Sequence, residues 1–259
     1  MKITVLAENT SAWEGLGSEH GLSLFIETGE TKLLFDFGQS GLFAENAAKL
    51  GVDLASADMA VLSHGHYDHG GGMKRFLALN DHAPVYLSSY AFDECYNAEG
   101  RYIGLDQALR AEPRLRFAEE GEALTCSLHL YSCNDRLRRY DPGSFGLTVK
   151  REGELLPDDF RHEQFLLAET ERGTRVLFSG CSHKGILNIL DWFRPDVMIG
   201  GFHLMKLAPG EELEPYAEAL GSCGAELFTG HCTGEAQSAW LQERLPELHP
   251  ISTGSRICI

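Results

Sequence analysis

The chain lacks any apolar run near the ~20 residues that a bilayer span requires. Basic residues are also scarce, with 22 Lys and Arg against 38 Asp and Glu, a net charge of −16. That balance argues against nucleic acid or an anionic membrane as the main partner. No Cys-x-x-Cys pair occurs among the seven scattered cysteines, which removes the usual redox and zinc-ribbon spacings. The opening "MKITVLAENT" has neither the apolar core nor the small-residue cleavage site of a secretory leader and reads as a first strand. A reduced, cytoplasmic protein is therefore expected. There is no low-complexity tract and no linker.

What is present is a regular alternation of short apolar segments with helical ones. "KITVL", "LSLFIE" and "KLLFDFG" predict successive strands, the last two joined by a turn at "TGET". "LFAENAAKLG" has helical spacing and a terminal glycine. "MAVLS" is a β-rich run, "GGMKRFLALN" restores a helix, and "APVYLS" is a further strand. The second half repeats the theme with strands at "EQFLLAET", "TRVLFSG", "DVMIGGF" and "AELFTG" and helices at "GILNILDWF", "LEPYAEALG" and "EAQSAWLQERL", before a closing strand "SRICI". This order predicts one α/β domain over residues 1–259, either two packed sheets with helices outside or a doubly wound parallel sheet. The stretch at about 132–157, with "RLRRYDPGSFG", is the least regular and reads as a rim or insertion.

"VLSHGHYDHGGG" places three histidines and an aspartate within six positions, directly after an apolar strand. In extended chain, residues two apart point to one side, so His64 and His66 can aim at one point. Asp68 and His69, one turn on, can serve a neighbouring point. Imidazole with carboxylate suits zinc, iron or manganese. Gly70 to Gly72 let the backbone crowd the site before the next helix. The competing account, a solvated polar loop, fails if these groups are buried, because burying them without a cation is costly.

"SHGHYDHGGG" resembles the His-x-His-x-Asp-His motif of the metallo-β-lactamase superfamily, and "LLFDFGQSG" is similar to its earlier strand ending in aspartate. "HGLSLFIE", "FDFGQSGLFAENAAKLGVDL", "LSHGHYDHGGG", "SGCSHKGILNIL", "GGFHL" and "TGHCTG" together resemble the dihydropteroate-synthase-like branch of that superfamily over nearly the whole chain. That branch is named for an archaeal enzyme of methanopterin biosynthesis, which joins a dihydropterin to a ribofuranosylaminobenzene phosphate. The resemblance implies an αββα sandwich, two mixed β-sheets with helices on the outer faces and metals where strand ends meet. It implies two divalent metal ions, zinc first and iron or manganese as alternatives. His64 and His66 match one metal position, Asp68 and His69 the second, and His231 the last histidine ligand. Asp36 matches the early aspartate that orients a ligand histidine; capping the following turn is the alternative.

The departure lies in "FSGCSH", where Cys181 stands in place of the superfamily's bridging aspartate and His183 follows. His183 is favoured as the remaining ligand, with Cys181 either packing or a thiolate. His129 and His162 occupy the interval of the usual middle histidine without a glycine-rich context and read as ordinary. His203 in "GGFHL" is a substrate or proton-transfer candidate, against a structural histidine. Cys232 merely adjoins His231. Arg136, Arg138, Arg139, Lys150, Arg151 and Arg161 cluster in an acidic chain and could choose a substrate, although a solvated basic loop is the favoured account of that run; Lys184 opens a helix where phosphate could bind. Phe145, Tyr140 and Phe202 could wall a pterin pocket.

With two metals ~3.5–4 Å apart, a bridging water held as hydroxide could attack a phosphoester, lactone or thioester. The resulting expectation is a dinuclear hydrolase of a small, phosphorylated molecule, with Asp68 and His203 taking part in the chemistry. A pterin-transferring synthase and a metal-binding or redox protein are the alternatives. The expected partner is a small-molecule substrate, not nucleic acid or membrane; the oligomeric state is not legible.

Overall fold

The computed structural model describes every residue except residue 12. Two seven-stranded sheets face each other. In spatial order the first holds Arg256–Cys258, Lys2–Ala7, Ser23–Thr28, Thr31–Phe35, Met59–Val61, Val85–Ser88 and Leu115–Ala118. The second holds Leu248–Pro250, Glu226–Thr229, Val197–Gly200, Arg175–Ser179, Phe165–Glu169, Leu128–Tyr131 and Glu122–Ala123. Each sheet is mixed: neighbours from Thr31–Phe35 to Leu115–Ala118, and from Arg175–Ser179 to Leu248–Pro250, run parallel. The remaining neighbours run antiparallel.

The two-residue side-chain period of a strand sorts the apolar residues into layers. Leu33 and Phe35 face the second sheet, where Leu166, Val176, Phe178 and Ile199 meet them. Leu34, Ala60 and Leu62 point the other way, onto helices Leu42–Leu50 and Met73–Leu79. Leu177, Met198 and Leu227 likewise pack against helices Ile186–Phe193, Glu214–Ser222 and Glu235–Gln242. The layers are helix, sheet, sheet, helix, as the family resemblance implies, and the doubly wound alternative is not what forms. Among the described residues no helix is long and apolar enough to cross a membrane.

The irregular stretch at 132–157 is partly ordered into a small third sheet. Thr148–Arg151 pairs with Glu154–Pro157 on one side and with Glu94–Tyr96 on the other. The latter two strands were not expected from the sequence. This sheet carries Phe145 and Leu147 to the edge where the parallel strands end.

Phe35 and Phe178 meet across the sheet interface with ring centroids 5.9 Å apart, both with no exposed surface. Phe178→Ala should cost about 3–5 kcal/mol, the range for a buried phenylalanine truncation. Chemical denaturation of the variant checks this; a cost under about 1 kcal/mol would mean that the sheet interface is not the main core.

Candidate metal centre

The polar residues singled out in the sequence converge at the C-terminal ends of parallel strands, where open α/β sheets place ligand sites. Asp36 follows Thr31–Phe35, His64 follows Met59–Val61, and Cys181 and His183 follow Arg175–Ser179. His203 follows Val197–Gly200 and His231 follows Glu226–Thr229. To turn out of their strands, Asp36, Ser182, His203 and His231 all adopt left-handed backbone angles, with φ between 52° and 60°. Such strain in non-glycine residues costs about 1–3 kcal/mol each and collects at functional sites.

The Asp36 carboxylate organises the cluster. Its Oδ1 accepts from the Ser63 amide at 2.7 Å. Its Oδ2 accepts from the Ser63 hydroxyl and from His69 Nδ1, each at 2.7 Å. Because Ser63 Oγ has given its proton to Asp36, it can only accept from His64 Nδ1, 2.8 Å away. One buried carboxylate thus fixes the tautomers of His69 directly and of His64 through Ser63. Gly180 is required beside this relay: a Cβ there would collide with Ser63 Oγ.

The nitrogens left over are bare. His64 Nε2, His66 Nε2 and both ring nitrogens of His183 are buried without a hydrogen-bond partner. These three residues bring ligand atoms within 4.8 Å of one another. A second group lies alongside: His69 Nε2 is 3.0 Å from His231 Nε2, and Asp68 Oδ2 is 3.3 Å from His231 Nε2 and 3.8 Å from His69 Nε2. His231 Nδ1 is held by Asn9 Oδ1 at 2.9 Å, an oxygen that also accepts from the Gly21 amide. With both Nδ1 atoms donating, two lone pairs face each other at 3.0 Å. That arrangement calls for a cation between them. Orphaned buried nitrogens in one triad and opposed lone pairs in the other both fit divalent metal ions.

The electrostatics agree. Burial holds His64 and His183 well below the ordinary imidazole range and lowers His66 to about 3, so all three stay neutral. Burial alone would raise the Asp68 carboxyl, but the neighbouring His69 and His231 hold it far below the usual carboxylate range. Burial likewise lowers His69, yet the Asp36 and Asp68 carboxylates outweigh it and carry it to about 9. Without a metal, a proton shared at His69 is what satisfies that corner.

The structure brings His64, His66, Asp68, His69, His183 and His231 together, with Asp36 behind them. Cys181 is also there, its Sγ 3.2 Å from His69 Nε2, so position alone does not choose between it and His183. His203 is half-buried at the rim, its ring 4.3 Å from that of His183 and 4.2 Å from that of Phe145, with Nδ1 unpartnered. An open cleft above the cluster is walled by Tyr67, Ile103, Leu147 and Met205, with His20 and Asn97 as polar groups.

Two expectations need correction, at Lys184 and at His162. Lys184 cannot meet a substrate: it is fully buried, and its ammonium donates to the Ser132 and Glu163 carbonyl oxygens. The arginine cluster is paired off elsewhere, Arg151 and Arg161 on Asp159, Arg139 on Asp191 and Lys150 on Glu94. Arg138 and Arg136 donate to the Asp159 and Trp192 carbonyl oxygens. His162 is not ordinary. It is fully buried, accepts from the Gly65 amide at Nδ1 and meets Asp158 through Nε2, which braces the turn between His64 and His66. His129, by contrast, lies in strand Leu128–Tyr131 away from the site. Sequence inspection also passed over Glu163, whose carboxylate accepts the amides of His183 and Lys184, and over Ser63, Asn9 and His20. His20 had only its place in "HGLSLFIE" as a signal; it approaches Asp68 Oδ2 at 3.4 Å.

The metallo-β-lactamase superfamily profile matches residues 16–204. The chain belongs to the metallo-β-lactamase superfamily. A crystal structure described as a metal-dependent hydrolase of the β-lactamase superfamily is 32% identical, superposes with a TM-score of 0.85, and covers 100% of this chain and 99% of that one. A metallo-β-lactamase fold protein from Bacillus subtilis, at 14% identity and a TM-score of 0.58 over 99% of this chain and 98% of its own, shares the fold. In Methanocaldococcus jannaschii, an uncharacterised protein is 29% identical, covering 90% of each chain. A 7,8-dihydropterin-6-methyl-4-(beta-D-ribofuranosyl)-aminobenzene-5'-phosphate synthase of that organism is 26% identical, covering 99% of this chain and 96% of its own.

Two predictions follow from the superfamily site as built here. Asp36→Asn should weaken metal affinity about 10–100-fold at both triads, whereas Ser63→Ala should weaken only the one containing His64. Competition against a chromophoric chelator measures both; loss confined to one triad in Asp36→Asn would break the relay. The second concerns pH. The folded-state values of His64, His66 and His183 lie below the ordinary 6.5, so the unfolded chain takes up protons first as pH falls. In metal-free protein these three histidines should contribute their full stability above about 6.5 and lose it as pH drops towards 3, whereas His69, carried to about 9, loses its contribution as pH rises from 6.5 to 9. Thermal midpoints of chelator-treated protein across that window test it, and a flat profile would contradict it.

Proposed function

We propose that the protein is a dinuclear metal-dependent hydrolase acting on a small ester, phosphoesters included. The observation that carries this is the pair of adjacent, preorganised triads with bare nitrogens opening on one cleft. His64, His66 and His183 would hold one ion and Asp68, His69 and His231 the other; zinc suits these donors best. Two such ions supply Lewis acidity and an activated water at neutral pH.

The chain's own residues have separate tasks. Asp36, His162 and Glu163 hold the donor loops so that the site needs no rearrangement on loading. Tyr67, Ile103, Leu147 and Met205 offer apolar contact to the substrate body. His203, at the rim with a free Nδ1, is the candidate to pass a proton to the leaving group. Among the described residues no lysine or arginine lines the cleft. A phosphoryl group would therefore find its positive partners in the ions rather than in side chains.

The full-length match to a pterin-related synthase supports a second reading, transfer of a pterin to an aminobenzene partner, with the apolar walls receiving the flat ring. The two are separated by assaying zinc-loaded protein on phosphodiesters, lactones and thioesters, and on a dihydropterin pyrophosphate with an aminobenzene acceptor. Hydrolysis that disappears with chelator, falls by orders of magnitude in Asp68→Ala and drops in kcat in His203→Ala is the expected result. Condensation without hydrolysis would favour the synthase, and no turnover of either kind with both metals bound would favour a binding role.

A further inference from the structure

We propose that His20 is a positioning residue for the second triad, its Nε2–H holding the Asp68 carboxylate towards the ion shared with His69 and His231. The proposal deepens the metal-site reading above and rests on it. Asn9 has all four of its side-chain hydrogen-bonding positions filled, which fixes the orientation of its amide. The Gly21 backbone N–H can only donate, so the Asn9 atom 3.2 Å from it is Oδ1, and His231 Nδ1 shares that oxygen at 2.9 Å. The His231 backbone oxygen can only accept, so the Asn9 atom 3.4 Å from it is Nδ2. That Nδ2 also lies 3.3 Å from His20 Nδ1, which must therefore accept. A neutral imidazole that accepts at Nδ1 carries its proton at Nε2. The His20 Nε2–H faces Asp68 Oδ2 at 3.4 Å, the same oxygen that stands 3.3 Å from His231 Nε2 and 3.8 Å from His69 Nε2.

The backbone is shaped for this contact. Gly21 carries its loop straight over the Asp68 backbone, and a Cβ there would collide with the Asp68 carbonyl oxygen and crowd the Gln39 amide. The His20 ring lies against that of His231, with centroids 4.7 Å apart. Structural packing is the competing account, but the His20 side chain is 42% exposed and lines the cleft, so little of the core rests on it. A carboxylate oxygen has two lone pairs. With an ion on one and His20 on the other, Asp68 Oδ2 has no freedom to swing into the cleft. Asn9 thereby aligns two of the three donors of this triad, His231 directly and Asp68 through His20, as Asp36 aligns His69.

Stepwise zinc binding to metal-free protein, followed by competition against a chromophoric chelator, provides the test. The unmodified protein should take up two equivalents, and Asp68→Ala identifies which of them belongs to the second triad by losing it. His20→Leu should bind that equivalent about 10–100-fold more weakly and leave the other unchanged. The thermal midpoint of the metal-free variant should stay near that of the unmodified metal-free protein. His20→Gln, whose amide N–H can stand where the Nε2–H was, should recover most of the lost affinity. If His20→Leu does not fold, His20→Ala is read in the same way. Both equivalents held at unmodified affinity in His20→Leu, equal weakening of both, or a His20→Gln protein as weak as His20→Leu overturns the positioning role while leaving the metal site intact. Unmodified protein that binds no zinc overturns the metal reading itself, and the role of His20 with it. The expected His20 pattern without hydrolysis leaves the positioning role standing and removes only the hydrolase.

Discussion

The Asp36 carboxylate is the constraint from which the rest of the site follows. It is wholly buried, adopts a left-handed backbone angle, and accepts three hydrogen bonds at 2.7 Å. Hydrogen bonds to an ionised group are worth about 1.5–3 kcal/mol each, and leaving such a charge unmet would cost more than any one of them. The chain must therefore bring Ser63 and His69 to it. Once they are there, His64 and His69 have no freedom left in tautomer or orientation. A charge that would be a liability in a core becomes the alignment device for two neighbouring donor sets.

The sandwich makes this possible by ending its parallel strands on one edge. Each sheet contributes: the first supplies Asp36, Ser63, His64 and the short turn carrying Asp68 and His69, and the second supplies Cys181, His183, His203 and His231. Neither sheet holds a complete donor set, so the packing of Leu33 and Phe35 against Val176 and Phe178 also sets the distance between the halves of the site. Buried histidines with orphaned nitrogens, strained turns and opposed imidazole lone pairs are all unfavourable without a cation. Binding a metal offsets these costs, so loading and stability are expected to rise together.

Much of this was legible in the residues. The alternation of apolar positions gave the strands at "KITVL", "LSLFIE", "KLLFDFG" and "TRVLFSG" and the helices at "LFAENAAKLG" and "GILNILDWF", because those segments bury one face or stripe. The donors at 64, 66, 68 and 69 were visible because their spacing is local. Strands such as Glu94–Tyr96 and Leu115–Ala118 were not, being short and without clean alternation; tertiary pairing, not propensity, makes them strands. His162, Glu163 and Asn9 escaped for another reason. Each acts through hydrogen bonds that reach residues far along the chain, and no local pattern announces such contacts. Lys184 misled because a lysine at a helix start looks solvent-facing until Glu163 and Ser132 are seen to enclose it.

The claim that most needs testing is that these two triads hold two cations side by side. Anomalous diffraction at the edge of the metal found in natively purified protein addresses it without any assumption about substrate. The account predicts two anomalous peaks, one among His64, His66 and His183 and the other among Asp68, His69 and His231, with Cys181 beside both. A single peak, or peaks remote from the strand ends while these histidines stay hydrogen-bonded only to water, would contradict it.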